Sequence, residues 1–237
     1  ISGIQMINVN QKNHELTCNF PSFKKLQNGP LYCIGRAGMD LYPEPAGKKT
    51  EEAEYFRADM GGSAGNIAVA LARQGGNAAL LTVFSDDQVG RFVLKKCKKY
   101  GVDTTYCRTQ AGLFRNSLAI AETKPTDAAV VIYRNDAADL QIRKKDIQHI
   151  DFSKAGGLVI TGTALSGEPS ASAVTAAISS ARQAGCLVVI DIDYRVNAWK
   201  DVTTAAQRME SELAQADILV GNDDEFAVLC GGDKNKG

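Results

Sequence analysis

The chain has 237 residues, with 27 Lys plus Arg against 27 Asp plus Glu, and is 44% hydrophobic and 23% charged. This suits a soluble domain with a sizeable core, and the neutral balance gives no long-range pull on nucleic acid or an anionic membrane. No apolar run reaches the 18 residues of a minimal bilayer span, two histidines argue against a His-based metal site, and six cysteines without a C-x-x-C pair fit reduced thiols in a cytoplasmic protein.

Residues 1–30 lack the apolar stretch of a signal peptide and read as an N-terminal extension, with the domain proper over 31–237. "LYCIGR" (31–36) is a short apolar run, a buried strand, and Arg36 and Asp40 follow it. The segment 41–60, ending in strand-like "EYFRADM", does not fit a helix-covered layer and predicts part of a small β lid. Gly61, Gly62 and Asn66 then lead into a helix with apolar positions Ile67, Ala70 and Leu71, stopped by Gly75 and Gly76. "AALLTVF" (78–84) predicts the next buried strand and "VGRFVLKKCKKYG" (89–101) the next helix. "NSLAIAE" and "AVVIYRN", separated by "TKPTDA", predict a hairpin that supplies the other lid strands, within 117–134.

From residue 155 the pattern alternates. "AGGLVITG", "CLVVIDIDYR" and "DILVGN" read as strands; "SASAVTAAISSARQAG", "TTAAQRMESELAQ" and "DDEFAVL" read as helices. Uninterrupted apolar strands alternating with helices predict an α/β fold, a parallel sheet covered on both faces.

In such a sheet ligands gather beyond the carboxyl ends of the strands. Four strand ends carry polar groups: Arg36 and Asp40, Gly61 to Asn66, Asp193 and Arg195, and Asn222 to Glu225. Gly61 and Gly62 clear side chains from a helix's positive end, which suits an anion or a polyol, or else a plain turn and cap. The spacing is neither the G-x-G-x-x-G of dinucleotide binding nor a P-loop. Asp40 suits either two neighbouring sugar hydroxyls or a surface turn. Arg134 and Arg195 suit a carboxylate held bidentately, or are solvated charges. Asn222 and Glu225 have the spacing of a pair holding the water shell of magnesium, and equally that of a capping box.

"GGSAGNIAVALARQG", "SDDQVGRFVLKKCKKYGVDT", "DIDYR" and "NDDE", in this order, resemble the ribokinase (PfkB) family of carbohydrate kinases over about residues 30–232. The resemblance implies a Rossmann-like (ribokinase-like) α/β domain with a β lid. It implies transfer of the ATP γ-phosphate to a primary hydroxyl of a sugar or sugar acid. Asp40, Gly61, Gly62 and Asn66, with Arg36 beside them, would hold the acceptor, and Arg134 and Arg195 its carboxylate. Asp193, Asn222 and Glu225 would face the nucleotide, the last two holding Mg2+ through water. "CIGRAGMDLY", "YRNDAADL" and "DIDYRVNAW" are most similar to the family's sugar-acid kinases and point to 5-dehydro-2-deoxygluconate, from inositol catabolism, as acceptor. The alternatives are 2-keto-3-deoxygluconate, a neutral sugar such as fructose, a nucleoside, or a non-catalytic sugar-binding protein of the same fold. A homodimer through the lid strands is a further expectation. The family's G-A-G-D segment, which carries the catalytic base, is absent from these 237 residues, which end at "GGDKNKG". No catalytic base is therefore expected within this chain, which should hold substrate better than it turns it over.

Overall fold

The computed structural model describes residues 29–230. The expected extension, up to residue 28, and the "GGDKNKG" tail from residue 231 lie outside the described residues.

The elements run β1 (Leu31–Ile34), β2 (Gly38–Glu44), β3 (Tyr55–Gly61), α1 (Ser63–Arg73), β4 (Ala78–Leu81), β5 (Val83–Ser85), α2 (Gln88–Lys99), β6 (Arg108–Gln110), β7 (Leu118–Ala121), β8 (Val130–Tyr133), α3 (Lys144–Ile147), β9 (Gly157–Thr161), α4 (Ser170–Gln183), β10 (Leu187–Asp191), α5 (Val202–Leu213), β11 (Ile218–Val220) and α6 (Asp223–Leu229). Five strands form one parallel sheet in the order β11-β10-β9-β1-β4.

Strand side chains alternate between two apolar layers, because successive residues of a strand face opposite ways. Tyr32, Ile34, Leu158, Ile160, Val188 and Ile190 join one layer, filled by Val174, Ala177 and Ile178 of α4 and Met209 and Leu213 of α5. Cys33, Leu80 and Val159 join the other, with Ala64 and Ala68 of α1 and Val93 and Cys97 of α2. Both faces being covered explains why these strands read as unbroken apolar runs. Cys33 and Cys186 are buried, as expected; the Cys186 thiol donates to the Phe152 carbonyl at 2.9 Å. No helix among the described residues is long and apolar enough to cross a membrane.

A second sheet, in the order β3-β2-β7-β8, forms the lid. β2 pairs with β3 and β7 with β8 in antiparallel fashion, while β2 and β7 run parallel. The lid begins at Gly38 rather than residue 41, since β2 is paired to β3 from Gly38↔Gly61 to Glu44↔Tyr55. Asp40 is therefore a lid-strand residue, in neither a loop nor a surface turn.

Helix α1 starts at Ser63, directly after the glycine pair, and its first turn is tied down: the Gly65 N–H donates to the Arg36 carbonyl at 3.1 Å and the Asn66 N–H to the Gly62 carbonyl at 2.8 Å. One other boundary, that of the run 78–84, differs from expectation. The run 78–84 breaks at Thr82, and β5 pairs with β6 in a separate two-stranded sheet. That partner, "RTQ", has no apolar signature.

Candidate active site

The β1–β2 connection brings Arg36 and Asp40 against the glycine pair. A Cβ built on Gly61 would lie 2.1 Å from the Asp40 carboxyl group, and one on Gly62 would lie 2.6 Å from the Arg36 carbonyl oxygen. Gly62 also sits at φ +89°, a left-handed conformation that favours glycine. The space freed by these two glycines is thus occupied by the chain itself.

At the start of α1 the Ser63 hydroxyl donates to Asp193 Oδ2 at 2.6 Å. Asp193 follows β10, is only 1% exposed and lies at φ +40°. It also accepts from Thr163 Oγ1 at 2.9 Å, and its Oδ1 is 2.8 Å from the Arg195 guanidinium. Three segments remote in sequence are joined at this one carboxylate.

The network runs on in both directions. The Thr163 carbonyl accepts from Arg134 at 3.2 Å; Arg134 also reaches Ser166 Oγ and forms an ion pair with buried Asp139. Arg195 donates to Glu225 Oε1 at 3.1 Å. Glu225 and Asn222 form a reciprocal cap on α6: Asn222 Oδ1 accepts from the Glu225 N–H at 2.9 Å, and Glu225 Oε2 from the Asn222 N–H at 3.0 Å. The capping-box reading is realised, and both Glu225 oxygens have partners.

Arg36 is different. It is 6% exposed, its Nε is sealed from solvent with no hydrogen-bond partner, and no described residue forms a hydrogen bond or ion pair with its guanidinium. Burial, and then the Arg134 charge, lower its pKa, while Asp139, Asp193 and Asp40 act in the opposite sense. Burial also raises Asp40, against the pull of Arg36 and the Tyr42 hydroxyl, 3.3 Å away. At the end of β10, Asp191 is pushed up to about 6, first by burial and then by the charges of Asp193 and Glu225.

The expected residues Arg36, Asp40, Gly61, Gly62, Arg134, Asp193, Arg195, Asn222 and Glu225 thus belong to one connected region beyond the carboxyl ends of β1, β9, β10 and β11. Asn66 lies in the first turn of α1 with an exposed side chain. The sequence reading passed over Ser63, Thr163, Asp139 and Asp191. Asp139 lies in the quoted "YRNDAADL", but its pairing with Arg134 follows from a loop path without periodicity. Asp191 reads as one more polar residue at the end of an apolar strand.

Comparison with known proteins agrees with this architecture. The family model for pfkB family carbohydrate kinases matches residues 30–236. The 5-dehydro-2-deoxygluconokinase of Photobacterium profundum is 36% identical over 205 residues, covering 86% of this chain and 62% of the relative. That of Bacillus subtilis is 34% identical over 200 residues, covering 84% and 62%. This chain therefore spans less than two thirds of the length of these relatives. Among solved structures, fructokinase with bound ATP from Xylella fastidiosa superposes with a TM-score of 0.74 at 25% identity, over 88% of this chain and 66% of that one. A 2-dehydro-3-deoxygluconokinase from Thermotoga maritima superposes with a TM-score of 0.77 at 22% identity, over 86% and 62%, a likeness of fold. A strand-and-helix order read from apolar periodicity, a lid sheet whose strands β2 and β3 pair from Gly38↔Gly61, and a family match over residues 30–236 all lead to one statement: the chain belongs to the pfkB family of carbohydrate kinases.

Proposed function

We propose that this chain forms the acceptor-binding part of an ATP-dependent kinase for a keto-deoxy sugar acid, with 5-dehydro-2-deoxygluconate the first candidate. The supporting observation is the polar network that runs from Ser63 through Asp193, Arg195 and Glu225 to Asn222, with the charges of Arg36 and Asp40 beside it. It sets hydroxyl-binding groups beside guanidinium groups under a β lid.

Asp40, on a lid strand, accepts hydrogen bonds from neighbouring acceptor hydroxyls, and Asn66 supplies both a donor and an acceptor. Arg36, Arg134 and Arg195 give the pocket the positive character that an acid acceptor needs. The lid keeps water from the phosphoryl group, so that transfer goes to the acceptor. Positioning and charge neutralisation carry most of such a reaction.

The Mg2+–ATP pair supplies the phosphoryl group and offsets its charge. Asp193 and Glu225 share Arg195, and burial first, then the charges of Asp193 and Glu225, raise the pKa of nearby Asp191. No cluster of three His, Cys, Asp or Glu side chains suited to a metal forms among the described residues. A magnesium ion at Asn222 and Glu225 would accordingly keep its water shell.

Exposed Tyr55 on β3 and Val130 and Tyr133 on β8, at the two outer lid strands, suit contact with a second copy of this chain. The buried Cys33 thiol suits a reducing, cytoplasmic setting.

A thermal-shift panel tests the reading. Sugar acids should raise the melting midpoint more than fructose, ribose or a nucleoside, in proportion to the logarithm of ligand concentration over affinity. A larger shift with fructose would favour a neutral-sugar kinase. Binding without phosphoryl transfer, in a protein as long as its relatives, would favour a non-catalytic sugar-binding role.

A further inference from the structure

We propose that Arg36 is the primary carboxylate receptor of the acceptor pocket and sets the preference for acid over neutral acceptors. The inference rests on the sugar-acid reading and goes beyond it, since Arg134 and Arg195 are the positions that the family resemblance assigns to the carboxylate.

The three arginines differ in their partners. Arg134 is already neutralised by Asp139, a carboxylate of 3% exposure, and anchored to the Thr163 carbonyl. Arg195 is shared between Asp193 and Glu225. An incoming carboxylate would have to displace or share a protein carboxylate at either position. Arg36 is the more deeply buried group and has no such partner among the described residues.

A buried cation left unpaired is costly, and a bound anion removes that cost. Its sealed Nε leaves the two terminal nitrogens as the accessible edge, the edge that grips a carboxylate in two parallel hydrogen bonds. Asp40, the proposed hydroxyl acceptor, lies four residues along on β2, and the Arg36 carbonyl is tied to the first turn of α1. The backbone that carries Arg36 is therefore anchored to the first turn of α1. Lysine at this position could not reproduce the planar, two-pronged contact.

The test compares D-gluconate with D-glucitol, which share a carbon chain and differ in one carboxylate. Binding to the wild-type chain, Arg36→Lys and Arg36→Met is measured by calorimetry, with the melting midpoint of each unliganded protein. The expected result is a loss of about tenfold to a hundredfold in gluconate affinity for Arg36→Met. Glucitol affinity should stay within about twofold, Arg36→Lys should fall between, and the unliganded Arg36→Met midpoint should be no lower than wild type, since an unpaired buried charge is gone. Retained gluconate preference in Arg36→Met overturns the proposal. So does an equal loss for both ligands, or a lowered midpoint or unfolded variant, each of which makes Arg36 a structural residue. A wild-type chain that does not prefer gluconate to glucitol overturns the sugar-acid reading itself, and this inference with it.

Discussion

The Asp40 carboxyl group fills the volume that any side chain at position 61 would need, standing 2.1 Å from where a Gly61 Cβ would lie. Strands β2 and β3 pair Gly38 with Gly61 and Asp40 with Asp59, so Gly61 is the diagonal neighbour of Asp40 and the carboxylate on one strand depends on a glycine in the other. Gly61→Ala should displace Asp40 and destabilise the fold by about 1–3 kcal/mol. Acceptor binding should fall by more than that stability change explains. Thermal denaturation with and without ligand measures both, and an alanine variant that binds normally would separate Asp40 from the acceptor.

Asp193 joins β10, α1 and the Thr163 turn through a single buried side chain. Asp193→Ala leaves the Ser63 and Thr163 hydroxyls without their acceptor and places alanine at φ +40°. A loss of about 3–5 kcal/mol is expected, the range for breaking a buried charged contact. Asp193→Asn should lose less, since asparagine tolerates this backbone conformation and still offers an acceptor. Chemical denaturation of the two variants checks the order.

Asp191 sets a pH dependence. Its carboxyl is raised to about 6 in the folded protein, against about 3.9 when unfolded. The folded state therefore binds the proton more tightly. Asp191's contribution to stability is fully present below about pH 4 and is lost as pH rises through about 6. Asp191→Asn should remove that part of the slope. Denaturation of both proteins between about pH 4 and about pH 7 measures the difference, and parallel curves would rule Asp191 out as its source.

The α6 cap and the proposed magnesium contact involve the same two residues. Asn222→Ala removes one cap bond and should cost about 1 kcal/mol. If Glu225 also faces magnesium-bound nucleotide, Glu225→Gln should weaken the magnesium-dependent part of ATP binding more than the magnesium-independent part. A titration with and without the metal distinguishes this from a purely structural cap, which would weaken both alike.

The central sheet was legible in the chain because its strands are buried on both faces. "LYCI", "GLVIT" and "LVVID" carry no polar interruption, and helices of the right period lie between them. The lid hairpin was legible for a similar reason, two apolar runs around a Pro- and Asp-containing turn. Strand β6 was not, since "RTQ" is paired through backbone groups that every sequence shares. The start of the lid at Gly38 was hidden because β2 is half-buried and has no alternation to read.

The candidate residues were visible as polar groups after apolar strands, a rule of topology that needs only the order of elements. Their partners were not. Nothing local assigns Glu225 to Arg195 or Ser63 to Asp193, because those pairs span 30 and 130 positions, and Asp139, though only five residues from Arg134, meets it through a loop path without periodicity. Residue type and spacing therefore sufficed to place basic and acidic groups beyond the carboxyl ends of the sheet's strands. Which arginine already had a partner, and which was left buried without one, depended on side-chain packing in three dimensions, because charge pairing is a property of distance in space and not along the chain.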